Sequence, residues 1–111
     1  MATKTFIAGA DLTGKAGYAL KADNGKVKLA SVKGEACLGI LTNDNVADRA
    51  VTVALPGEVC KVKLGATVTM GAFLAAGTDG RLATTADSEN DVAMALEAGV
   101  ENDLIYAVVI V

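Results

Sequence analysis

Two segments of this chain follow one plan. Gly17-Tyr18-Ala19-Leu20 leads through Asp23-Asn24-Gly25-Lys26 to an apolar tail, and Gly71-Ala72-Phe73-Leu74 leads through Thr78-Asp79-Gly80-Arg81 to another. Asn-Gly and Asp-Gly supply the positive φ angles that a tight turn between twisted strands requires, so each segment predicts a β-hairpin. The likeness continues downstream. Ala36-Cys37-Leu38-Gly39-Ile40-Leu41 corresponds to Val92-Ala93-Met94-Ala95-Leu96, and Arg49-Ala50-Val51-Thr52-Val53 to Asp103-Leu104-Ile105-Tyr106-Ala107, with the register slipping by a few residues. A β-rich unit used twice constrains a chain of 111 residues to one domain made of two related halves.

The rest of the pattern is also extended. No stretch of a dozen residues keeps a helical apolar period without a glycine or turn interrupting it. Val51-Thr52-Val53-Ala54-Leu55 alternates; in Cys60 to Leu64 the apolar residues fall on one face and Lys61 and Lys63 on the other. Pro56-Gly57 between them fits the centre of a type II turn. Thr67-Val68-Thr69 predicts another short strand. Leu104 to Val111 is apolar on both faces, which predicts a central strand or one covered by a second subunit, since an exposed apolar edge invites aggregation. Glycines at 17, 39, 65 and 71 sit beside strands where bends or bulges are expected. Polar, acidic loops fill Asn43 to Asp48 and Thr84 to Asp91. The expected fold is all-β, a small antiparallel β-barrel or sandwich with pseudo-duplicated halves and little or no helix.

Residues 1–13 have no counterpart in the repeat, and two readings stand side by side: an N-terminal arm ahead of a β-barrel domain at 14–111, or the first strand of the barrel. On the first reading, Phe6 and Ile7 are candidate anchors to a neighbour, with Lys4 beside them for an acidic surface. An apolar arm of this kind could add a strand to a neighbour's sheet edge.

Composition narrows the function. Aromatic residues make up only 4 % of the chain, so few large side chains are available for a core, and neighbouring subunits or a partner surface are expected to add stability. The net charge of −3 is split unevenly, with nine Lys/Arg against six Asp/Glu in residues 1–63 and one against seven in residues 64–111. An acidic chain with four scattered aromatics offers neither a phosphate-neutralising patch nor a stacking platform for nucleic acid. No secretory signal is apparent, and the longest apolar run is far short of the about 20 residues of a membrane helix. Cys37 and Cys60 are therefore expected as reduced core residues in a cytoplasm-like compartment, and their spacing matches no zinc motif.

Catalytic groups are scarce. The chain has no histidine, which removes the commonest general base and metal ligand. Gly9-Ala10-Asp11-Leu12-Thr13-Gly14-Lys15 has phosphate-loop spacing up to its lysine, but Ala16 follows where Ser or Thr would hold magnesium, and a hairpin follows where a helix should begin. Asp87-Ser88-Glu89-Asn90-Asp91 alternates oxygen ligands as a calcium loop does, yet lacks the glycine and the distal glutamate of an EF-hand. No enzyme activity, no metal and no cofactor are expected.

Three stretches, taken in order, resemble the small capsid decoration or cement proteins of tailed bacteriophages. They are Gly39-Ile40-Leu41-Thr42-Asn43-Asp44 with Arg49-Ala50-Val51-Thr52-Val53; Gly57-Glu58-Val59-Cys60-Lys61-Val62; and Gly71-Ala72-Phe73-Leu74 through Asp79-Gly80-Arg81 to Ala93-Met94-Ala95-Leu96-Glu97-Ala98. The match spans about residues 14–111, and its specificity lies in the order of the motifs. The resemblance implies a compact β domain on the outer surface of an icosahedral head, often a homotrimer at local three-fold positions, bridging major capsid protein subunits against internal pressure. Such a virion protein would be synthesised in the bacterial host cytoplasm. The competing expectation is a homo-oligomeric binding module that recognises a host or cell-surface molecule.

Overall fold

The computed structural model describes residues 3–86 and 89–110. Ten strands follow one another: β1 (Thr3–Ile7), β2 (Ala19–Asp23), β3 (Lys26–Leu29), β4 (Gly39–Asn43), β5 (Ala50–Ala54), β6 (Val59–Lys63), β7 (Phe73–Ala76), β8 (Leu82–Thr84), β9 (Ala93–Ala95) and β10 (Leu104–Val109). They form two five-stranded antiparallel sheets, ordered β1-β5-β4-β2-β3 and β6-β10-β9-β7-β8. No helix is present among the described residues. The fold is the expected all-β one, a sandwich of two sheets.

Adding five to each strand number of the first sheet reproduces the second, so the duplication extends to topology. The backbone repeats it bond by bond. Gly17 donates to the Leu41 carbonyl as Gly71 donates to that of Ala95; Leu38 donates to Leu20 as Val92 does to Leu74; Leu41 donates to Tyr18 as Ala95 does to Ala72. Asp48 and Asn102, corresponding residues just ahead of β5 and β10, both adopt positive φ, at 64° and 71°. The outer strands of each sheet also curl to meet at one parallel bridge, Ala8 with Val27 and Leu64 with Leu82, without closing a full ladder.

The register slip has a local cause. Asn24 and Gly25 both have positive φ, giving the two-residue turn expected of Asn-Gly. In the second hairpin only Gly80 does; Gly80 donates to the Gly77 carbonyl and Gly77 to that of Arg81, which makes a longer loop closed by a left-handed glycine. The extra residue moves β8 one position relative to β3. Pro56-Gly57 forms the expected turn, with Gly57 at φ 94° and Glu58 donating to Leu55.

Two expectations change. Thr67–Thr69 is not a strand: Val68 makes a single bridge to Gly99, because the segment is the counterpart of the Leu12 loop, where Leu12 donates to Asn45 as Val68 does to Gly99. And of the two readings of residues 1–13, the first strand is the one observed. Thr3 to Ile7 pair with Ala54 to Ala50, and Ala8 is fully buried. β1 is the counterpart of β6, which pairs with β10 in the same way, so residue 13 marks no boundary between an arm and a domain. The equivalence escapes the sequence because Thr3-Lys4-Thr5-Phe6-Ile7 and Val59-Cys60-Lys61-Val62-Lys63 share little beyond alternation.

Two apolar cores result. One lies inside the N-terminal half (β1–β5) and holds Ala8, Leu12, Leu20, Val27, Leu41, Val51 and Val53, with Phe6, Leu29, Leu38 and Leu55 partly buried around it. The other is larger. It contains Leu64, Val68, Leu74, Leu82, Ala95, Ile105 and Ala107, the counterparts of those seven residues, and joins them to Ala19, Ile40 and Ala54 on the opposite face of the first sheet. The N-terminal half therefore covers the C-terminal half (β6–β10), and alternation along β2, β4 and β5 feeds both cores.

Candidate interaction surface

The loops with catalytic or ligand-like spacing are tied into the structure by their own residues. In the Gly9–Lys15 loop the Asp11 carboxylate accepts from the Thr13 amide at 3.0 Å and hydroxyl at 2.7 Å, Asp44 accepts from the Gly14 amide, and Lys15 donates to the Leu12 carbonyl. Those amides face carboxylates and a carbonyl, so they form no cradle for phosphate. The Thr13 bonds hold the exposed Asp11 carboxyl below its ordinary range. In the acidic loop, Asp87 and Ser88 lie outside the described residues; Glu89 accepts from the Ala86 amide and the Asn90 side chain donates to the Gly34 carbonyl. Among the described residues no three His, Cys, Asp or Glu side chains gather as a metal site.

Cys37 and Cys60 are both buried free thiols, and the Cys37 thiol donates to the Glu35 carbonyl at 3.4 Å. Burial foremost, with the nearby negative charges of Glu35 and Glu58 adding to it, pushes each thiol up to about 11. A thiol so poised is a packing residue and not a nucleophile at neutral pH. A shallow groove of about 200 Å³ runs past Cys60 between Gly17, Leu41, Lys61 and Leu104, below the roughly 300 Å³ at which ligand pockets begin.

What remains is surface. Lys4 and Ile7 are exposed on β1, while Phe6 turns inward onto the N-terminal core. The three candidates share a strand but not a face, since successive side chains on a strand point opposite ways. Ile7 lies on the outer face of an edge strand, and Lys4 and Phe6 lie on the side of the core opening.

A larger feature sits on the C-terminal half. Cross-strand pairing sets Phe73 beside Met94, Met94 beside Val108 and Val108 beside Val59, one row across the outer face of β7, β9, β10 and β6. Phe73 and Val59 are 50 % and 52 % exposed, and Tyr106 and Leu104 extend the apolar area along β10. Lys61 lies 5.0 Å over the Tyr106 ring. A contiguous apolar face of this kind is the candidate interaction surface. Its one sequence signal is the double-faced apolar pattern of Leu104 to Val111. β10 is indeed a central strand, between β6 and β9, but only its inner face is covered within the chain.

No protein-family model matches this sequence, and no curated protein matches it either. Among solved structures, the N base of the head fiber protein gp8.5 of bacteriophage phi29 has a similar fold, with a TM-score of 0.70 over 96 % of this chain and 92 % of that one. At 18 % identity, the likeness establishes the fold that the two chains share.

Proposed function

We propose that the protein is a structural component of a tailed-bacteriophage head, binding the outer surface of the icosahedral shell and stabilising it by bridging major capsid protein subunits, as a homotrimer. The observation that carries this reading is the shared fold with a phage head fiber base over nearly the whole of both chains. The motif order that resembles decoration proteins points the same way. So does the character of the surface: the thiols are buried, and the exposed groups are apolar rows and flanking charges suited to protein contacts. The reading involves no catalytic step and no cofactor.

Many copies on a lattice make individually weak contacts strong, because neighbours fix the effective concentration. Lys4, exposed at one edge, is suited to an acidic shell surface. The test is to mix purified protein with expanded shells lacking decoration and to pellet the shells. Saturable co-sedimentation is expected, reduced at low salt by Lys4→Glu; failure to co-sediment at saturating concentration would sink the proposal.

A further inference from the structure

The duplication leaves each half with one face that its counterpart uses and it does not. In the N-terminal half the cross-strand row Ala19, Ile40, Ala54 is fully buried, because it lies in one continuous core with the C-terminal half. Its counterpart in the C-terminal half is Phe73, Met94, Val108, the row that faces outward. The reciprocal surface shows the same mismatch. Val62, Val92 and Val109 are fully buried, whereas their counterparts Phe6, Leu38 and Leu55 are only partly buried around the opening of the N-terminal core. One internal contact uses the outer row of one half and the core opening of the other. The chain thus ends with an unused outer row at one end and an unused opening at the other.

The glycines at the internal junction repeat this asymmetry. Ala19 donates to the Gly80 carbonyl and Lys63 to that of Gly17, both at 2.8 Å, and side-chain or backbone atoms of the opposite half crowd both glycines. Their counterparts Gly25 and Gly71 have nothing within 4 Å of where a Cβ would stand. The Ile7 N–H, the counterpart of the Lys63 donor, points to the open edge of its sheet, because the next amide, that of Ala8, points the other way to bond Arg49.

We infer that copies of this chain associate head to tail by repeating the internal contact: the Phe73, Met94, Val108 row of one copy covers the Phe6, Leu38, Leu55 opening of the next. The backbone bonds repeat with it. Phe73 donates to the Gly25 carbonyl across the interface, and Ile7 donates to that of Gly71. Charge favours the same pairing, since residues 1–57 carry seven Lys/Arg against five Asp/Glu and residues 58–111 carry three against eight, so unlike ends meet. The contact is heterologous, joining two different surfaces, unlike the self-complementary patch of a two-fold dimer.

Two variants test it, one on each surface. Phe73→Asp charges the half-exposed row, and Gly25→Asn adds a side chain where the chain itself leaves space, in a left-handed conformation that asparagine tolerates. Circular dichroism and thermal melting check that both remain folded. In sedimentation velocity at matched concentration, the wild type is expected as an oligomer and each variant alone as a monomer. An equimolar mixture of the two variants is expected to form a dimer and stop there, because one intact row meets one intact opening. A monomeric wild type overturns the inference. So does a Gly25→Asn protein that still self-associates while Phe73→Asp does not, which would mean that the outer rows pack against each other. No shell is present in this assay, so its result stands apart from that of the co-sedimentation.

Discussion

Gly39 shows how tightly the two cores constrain a single residue. A Cβ there would run into the Ala54 carbonyl oxygen and the Val53 side chain, both backed by buried strands, so neither can give way. Gly39→Ala is expected to cost about 1–3 kcal/mol, as overpacking of a filled interior does, measured as a lower urea midpoint at unchanged slope. The buried thiols make a second residue-scale prediction. Cys37 and Cys60 titrate at about 11 in the folded protein, above the roughly 8.5 of a free thiol. The folded state therefore holds these protons more tightly than the unfolded chain. The stability this contributes is fully present below about pH 8.5 and is lost as pH rises towards about 11. A melting series from pH 8 to 11 should show a decline that Cys37→Ala with Cys60→Ala flattens. Glu35 is poised in the opposite sense: burial raises its carboxyl, but the Val32 and Ser31 amides and then Lys21 outweigh it and hold it below its ordinary value. Its counterpart Glu89 accepts from Ala86 in the matching loop, a repeat of function that the differing neighbours Ser31-Val32-Lys33 and Asp87-Ser88 conceal in the sequence.

Among the elements, β1 changes most between sequence and structure. Five residues cannot reveal a repeat when only their alternation is shared, and residues 1–13 accordingly read equally well as an arm or a strand. Paired with β5 and followed by the buried Ala8, β1 is part of the first sheet. Deleting residues 2–10 is therefore expected to unfold the N-terminal half and, with it, the core it shares with the C-terminal half. Loss of dispersed amide resonances in a nitrogen-proton correlation spectrum would show this; a well-dispersed spectrum would restore the detachable arm. The hairpins were legible by contrast, since Asn-Gly and Asp-Gly act through their own backbone angles and need no distant partner. Even there, the length of the loop at Gly77–Arg81 is set by its hydrogen bonds and not by the Asp-Gly pair alone.

At the scale of the whole molecule, the halves differ in dependence. The C-terminal core incorporates Ala19, Ile40 and Ala54 from the other half, so a fragment of residues 58–111 is expected to be unfolded, and the intact chain to melt in one transition with calorimetric and van't Hoff enthalpies in agreement. A folded fragment would show that each half carries its own complete core. The same unequal coverage governs the surface. An apolar pair next to a lysine makes Lys4, Phe6 and Ile7 candidate contacts in the sequence; the structure distributes them over two faces, and the broader apolar row across Phe73, Met94 and Val108 leaves no local signal because its members come from three separate strands. Turn chemistry and alternation, both local, let the sequence by itself determine an all-β chain, its paired hairpins and a twofold plan. Which face of each sheet is covered, and that β1 completes the repeat, were decided only by the tertiary structure, because burial depends on what a distant strand packs against and the same alternating pattern fits either outcome.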